Sequence, residues 1–228
     1  MQKKYSIVIT LFIAALLFLT GFAMKTAQAT PVFSFAEQPQ KCVYLTFDDG
    51  PSTVVTNRIL DILQKEGVKA TFFVVGEQIE GREETLRRIA AEGHTIGVHS
   101  ETHRYDIIYS SDDALLRDVR DCAEHIRAVT GITPCVYRFP GGGVRRPAQR
   151  KLIEQQGYKV VEWNAGCGDE EIPNASAERL VKESINSSKG RNTVIFLSHD
   201  SPHHKATAEA LPEIIQYFRE QGFVFCAF

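Results

Sequence analysis

The sequence predicts an α/β fold on a parallel sheet that closes like a barrel, and three observations lead there. Short apolar runs alternate with amphipathic stretches from residue 41 to the last residue, which is the pattern of repeated βαβ units. There are seven such runs, a number that suits barrel-like closure better than the two halves of a doubly wound sheet. The third observation is negative: Gly141-Gly142-Gly143 lacks the G-x-G-x-x-G spacing of a dinucleotide-binding turn, and no Walker loop occurs.

The strand candidates are 43–47, 71–75, 95–98, 136–139, 159–163, 194–197 and 223–228. Between them the helical period places apolar residues on one face in 56–67, 82–93, 113–131, 147–157, 176–188 and 207–222. Most of these stretches end in glycine, a common helix stop. No internal repeat, low-complexity segment or second domain interrupts the series.

The 228 residues carry a formal net charge of −2 and no basic stripe, which argues against a nucleic-acid partner. The N-terminus differs in kind. Lys3-Lys4 precedes an apolar run over 6–24 that ends in Ala27-Gln28-Ala29, the layout of a secretory signal cut after Ala29. The competing reading is an uncleaved anchor of about 20 residues, which alone would bring in a membrane. The expected organisation is a signal at 1–29, a linker at 30–40 and a catalytic domain at 41–228, exported to the extracytoplasmic space or cell wall.

Export would put Cys42, Cys122, Cys135, Cys167 and Cys226 where disulfides form. Five is odd, so at least one stays free. Cys122 falls on the apolar face of its helix, and the absence of a CxxC pair speaks against thiolate zinc sites.

In parallel α/β architectures the ligand site lies at the carboxyl ends of the strands. Unusual polar residues collect there: Asp48-Asp49 in "TFDDGP", His99 and His103 in "HSETH", Arg138 in "RFPGG", then Asp169, and His199 in "LSHD". The i, i+4 spacing of His99 and His103 would let one helical turn present both imidazoles to a metal. A third ligand would come from Asp48 or Asp49, leaving the other acid for proton chemistry. Among the remaining residues, His94 is expected to satisfy a strand start, His125 to lie on the surface, and His203 and His204 to belong to a solvated loop. Trp163 is expected in the barrel core.

In their order, "TFDDG", "HSETH", "RFPGG", Asp169 and "LSHD" resemble the five motifs of the polysaccharide deacetylases, carbohydrate esterase family four, and the resemblance covers roughly residues 40–228. It implies a distorted, incomplete (β/α) barrel. It also implies that Asp48 is the general base, His199 the general acid, and that Asp49, His99 and His103 hold a divalent metal, zinc first, with cobalt, nickel or manganese as alternatives. Arg138 would orient Asp48, Asp169 would tune His199, Leu197 would line the acetyl pocket, and Pro140 and Gly141 would border the substrate, the latter with a backbone N–H for the oxyanion. Two departures stand out: Gly141-Gly142-Gly143 replaces the usual aromatic and glycine after Pro140, and Glu170 follows Asp169 where the family usually has Trp.

The activity implied is removal of N-acetyl groups from a cell-wall aminosugar polymer, with peptidoglycan first and chitin-type oligosaccharides second. An O-acetyl esterase on xylan-like glycans and a non-catalytic wall-binding protein are the alternatives. The sequence lacks a G-x-S-x-G nucleophile elbow, against a serine hydrolase, and leaves the oligomeric state open.

Overall fold

Strand β1 (Cys42–Asp48) shows how the sequence builds the sheet, because its alternate residues serve two cores. Val43, Leu45 and Phe47 point to the main hydrophobic cluster, at most 1 % exposed, while Tyr44, Thr46 and Asp48 point the other way. The computed structural model of the chain describes residues 41–172 and 174–228. The expected signal and linker lie outside the described residues.

The strands that follow are β2 (Thr71–Val75), β3 (Thr95–Ser100), β4 (Val136–Tyr137), β5 (Lys159–Val160), β6 (Ala165–Gly166), β7 (Thr193–His199) and β8 (Val224–Cys226). All pair in parallel, in the order β5-β4-β3-β2-β1-β7-β6. β7 accompanies β1 along its whole length, so β8 and β2 share its other edge, β8 beside Cys42–Tyr44 and β2 beside Thr46–Asp48. All seven predicted strands are present. The eighth, β6, has two residues and no apolar run to announce it.

The sheet has to curl. Six strand spacings of about 4.8 Å would separate β5 from β6 by roughly 29 Å in a flat sheet. Yet Val160 and Ala165 are five residues apart in the chain, a reach of at most about 18 Å. Among the described residues no pairing joins β5 to β6, so the curled sheet keeps a seam there.

Helices α1 (Val55–Glu66), α2 (Glu83–Ala91), α4 (Asp112–Thr130), α5 (Pro147–Gln155), α6 (Ala177–Ser188) and α7 (Lys205–Glu220) match the six predicted stretches, and α3 (Tyr105–Ile108) is a single unpredicted turn. Ser111 and Ser176 cap α4 and α6 by accepting hydrogen bonds from Ala114 and Arg179 N–H at 3.1 and 3.2 Å. Helix α1 buries Ile59, Leu60 and Leu63 against the sheet, each contributing about 1.5–3 kcal/mol. Inside the curl a smaller cluster of Phe73, Val136 and Val161 fills the floor.

Cys42 and Cys226 form a disulfide across 184 positions of sequence, fastening β8 to the start of β1. Cys122, Cys135 and Cys167 are free, and Cys122 is buried as its helical position required.

Candidate active site

The inward face of β1 delivers the first acid. Thr46 and Asp48 stand two residues apart on that face, and one guanidinium nitrogen of Arg138 serves both, donating to Thr46 Oγ1 at 2.7 Å and to Asp48 Oδ1 at 2.8 Å. Arg138 comes from the residue after β4 and is 0 % exposed, stacked 4.3 Å above the ring of Phe73. Its Nε donates to Val161 O at 3.3 Å. Burial lowers its pKa and the charge of Asp48 opposes that; guanidinium keeps its proton in any case. Asp48 is thereby fixed by a charge-assisted bond in a dry setting.

Asp49 would point away if the strand simply continued. Its φ of 74° turns the chain back, so its carboxylate also faces the cleft. Asp49 Oδ1 lies 3.4 Å from His99 Nε2 and 3.2 Å from His103 Nε2, and it is buried without a hydrogen-bond donor. His99 presents that nitrogen because its Nδ1–H donates to Arg138 O at 2.8 Å. Burial lowers the His99 pKa against the pull of Asp48 and Asp49, favouring the neutral imidazole that ligates metals.

The two histidines meet by a route other than the expected helical turn. His99 is the penultimate residue of β3, whereas His103 follows an irregular loop with a φ of 55°. Ser100 Oγ organises that loop, accepting from His103 N–H at 2.9 Å and donating to the buried Asp118 at 2.7 Å. Asp118 also accepts from Glu101 N–H at 2.9 Å and Thr102 N–H at 3.2 Å.

These three donors fit a metal. Ligands at about 2.0–2.1 Å in tetrahedral geometry stand roughly 3.3 Å apart, close to the 3.4 and 3.2 Å separations from Asp49. A lone buried carboxylate oxygen between two imidazole nitrogens otherwise lacks a partner.

Across the cavity His199 closes β7. Its Nδ1–H donates to Asp169 Oδ1 at 2.8 Å, while Asp169 Oδ2 accepts from His199 N–H at 2.8 Å and from Thr207 at 2.7 Å. Burial disfavours the charge on His199, but the hydrogen bond and charge of Asp169, with Asp48 and Asp49 beyond, outweigh it and push the pKa up to about 9. Burial likewise opposes the charge of Asp169, and its bonds to His199 and Thr207 hold its pKa below the usual range.

Asp48, Asp49, His99, His103, Gly141, Leu197 and His199 line one cavity of about 240 Å³. Gly141 has a φ of 71°, and a Cβ there would stand 3.1 Å from the Tyr105 hydroxyl. Pro140 is fixed from behind, its carbonyl accepting from Tyr109 at 2.7 Å. The glycine loop is pinned by Glu162, which accepts from Gly143 N–H at 3.0 Å and from Arg150 at 3.1 Å.

Trp163 and His204 are placed differently from expectation, while His94 at a strand start and His125 on the surface are placed as expected. Trp163 is 36 % exposed and lines the cavity instead of filling the barrel core. His204 sits beside the site, its ring 5.1 Å from that of His199 and its Nε2 3.1 Å from Glu170 Oε1. His94 is buried and accepts from Ala70 N–H at 3.2 Å, and His125 is surface-exposed beside Glu101. Asp200 has no counterpart among the expected residues: it lies buried beneath Gly50, where a Cβ would collide with it, and accepts from Thr56 at 2.6 Å. Burial, opposed by that bond and reinforced by Asp49 and Asp48, pushes its pKa up to about 7.

The family model for polysaccharide deacetylases matches residues 36–161, more than half of the sequence. The chain belongs to the polysaccharide deacetylase family. It is 33% identical over 193 residues to YheN of Bacillus subtilis, covering 81% of this chain and 66% of that protein. It is 29% identical over 187 residues to a peptidoglycan-N-acetylglucosamine deacetylase of Bacillus cereus, covering 82% of this deacetylase-family chain and 85% of the relative. Among solved structures, the catalytic domain of peptidoglycan N-acetylglucosamine deacetylase from Eubacterium rectale superposes with a TM-score of 0.76 at 31% identity, covering 84% of this chain and 90% of that one. The curled parallel sheet is therefore the family's fold, and the chain is an enzyme of that family.

Proposed function

We propose that this protein is an exported, metal-dependent hydrolase that removes N-acetyl groups from peptidoglycan. The observation that carries the reading is the opposition, in one cavity, of an Asp48–Arg138 pair and an Asp169–His199 pair across the Asp49–His99–His103 donor set. The polymer is suggested by the relatives, which include peptidoglycan deacetylases. Export rests on the Lys3-Lys4, apolar and Ala27-Gln28-Ala29 layout of the N-terminus.

Asp49, His99 and His103 would hold the divalent metal, zinc in the first instance; when bound it supplies Lewis acidity toward the acetyl carbonyl and acidifies the attacking water. Asp48, held acceptor-side to the cleft by Arg138, takes the water's proton as general base. His199 carries the opposite charge state into the reaction, because Asp169 keeps it protonated at neutral pH. It therefore gives its proton to the departing nitrogen, which is too basic to leave as an amide anion. The N–H of Gly141, a residue of the cavity wall, would serve the developing oxyanion.

Acetate release from peptidoglycan and from chitin oligomers, measured on metal-reconstituted protein, tests the reading. Release from peptidoglycan that disappears with chelation and returns with zinc is expected. Folded, metal-loaded protein that frees no acetate from either polymer would overturn it.

A further inference from the structure

The catalytic cavity is small. At about 240 Å³ it falls below the roughly 300–1,000 Å³ of pockets that enclose a whole small ligand. A cavity of this size suits the acyl substituent of an aminosugar better than its ring. Such a substituent would meet the inward face of β7, where residues two apart share a side: His199 stands at the end of the strand and Leu197 below it, 8 % exposed.

Leu197 also borders a second space beyond the catalytic cavity. A second cavity of about 580 Å³ lies beside it, and Trp163, Glu171 and Leu197 line both. The seam of the sheet accounts for it. Among the described residues β6 pairs only with β7, and Ser187 in place of a neighbouring strand bonds its free edge, to Gly166 N–H at 3.2 Å and Gly166 O at 2.8 Å. Gly166 adds no side chain to fill the space.

Among the described residues most polar groups lining this second cavity already have partners, Glu171 at the junction being the exception. Asn164 bonds Thr193 O at 3.0 Å and Ile195 N–H at 2.9 Å, Asp169 is committed to His199 and Thr207, and Arg179 pairs with Glu183 at 2.8 Å. At the junction a ligand meets apolar surface from Leu197 and Trp163, with Ile172 behind them and the Glu171 carboxylate on the remaining side.

We propose that this enzyme also hydrolyses N-acyl groups longer than acetyl, namely short linear aliphatic chains that pass Leu197 and Trp163 into the seam cavity. The inference rests on the deacetylase reading and extends its acyl range. The reaction keeps its balance: water adds to the acyl carbon, the C–N bond breaks, the acid leaves with the water's oxygen, and the amine nitrogen takes the proton.

The test compares glucosamine oligomers carrying N-acetyl, N-propionyl and N-butyryl groups, with the released acid quantified to give kcat/KM. A blind acetyl pocket would discriminate by about 10–200-fold per misfitting methylene. Here propionyl and butyryl are expected within about tenfold of acetyl. Ile172→Trp, at a position that lines the second cavity and touches none of the acid–base groups, should cut the butyryl-to-acetyl ratio by about tenfold, mainly through KM. Acetate release with propionate down more than about a hundredfold would overturn the inference alone, as would a folded Ile172→Trp protein with an unchanged ratio. No acid from any oligomer would overturn the deacetylase reading together with it.

Discussion

Replacing Asp169 by Asn removes the charge that keeps His199 protonated while leaving a side chain of the same shape. The raised pKa of about 9 has a stated origin: burial opposes the imidazolium, and the 2.8 Å bond and charge of Asp169, with smaller help from Asp48 and Asp49, more than offset it. Without that charge His199 should return to 6.5 or below. At pH 8 the protonated fraction then drops from about nine-tenths to about one-thirtieth, so kcat/KM should fall about thirtyfold, and by less at pH 6. The diagnostic is the alkaline limb of the pH–rate profile, which should move from near 9 to near or below 6.5. Stability should move with it. A histidine whose folded pKa is raised contributes stability fully present below its unfolded pKa and lost as pH rises through the folded one, here between about 6.5 and 9, amounting to about 3 kcal/mol. Denaturant melts at pH 6 and pH 10 should show this loss in the parent and little of it in the variant. A folded Asp169→Asn protein whose alkaline limb stays near 9 would refute the reasoning.

The two adjacent acids should fail differently: Asp48→Asn keeps its metal and loses about 10²- to 10⁴-fold in turnover, whereas Asp49→Asn loses metal affinity first and regains activity in excess zinc. Elemental analysis beside acetate kinetics separates them. Changing His99 or His103 to Ala should lower zinc affinity by orders of magnitude in an isothermal titration, with the fold retained. Because the Cys42–Cys226 bond closes a loop of 184 positions, Cys42→Ala should destabilise by up to about 5 kcal/mol in the chain-entropy view, read as a lower urea midpoint. Thiol titration of the unfolded, unreduced chain should count three groups, Cys122, Cys135 and Cys167.

Strands and long helices were legible because each writes its own period into the sequence. β6 was not: Ala165-Gly166 has neither apolar length nor strand-forming residue types, and it is a strand only because β7 lies alongside. The rim residues were legible for a related reason, since acids and histidines directly after apolar runs stand out. What holds them was hidden. Asp118 sits inside the amphipathic pattern of α4, and nothing in that pattern tells that its carboxylate grips the loop carrying His103. Thr46 looked like ordinary strand composition until β4 brought Arg138 across to it. The same gap explains Trp163, whose apolar run suggested burial, while the unpaired ends of the sheet leave it on the cavity wall.

The crowding of partners around β1 has a consequence for motion. Three strands and a disulfide restrain this one segment, so its amides should open only with the whole molecule and stand among the slowest to exchange with deuterium. Asp48 therefore inherits the kinetics of global unfolding. β6, with two residues and one strand neighbour, belongs to the fast-exchanging end of the range, and Asp169 follows it by three residues. In the proposed mechanism the proton acceptor and the group that holds the proton donor thus ride on parts of the molecule with very different lifetimes, and local opening should silence the donor long before it disturbs the acceptor.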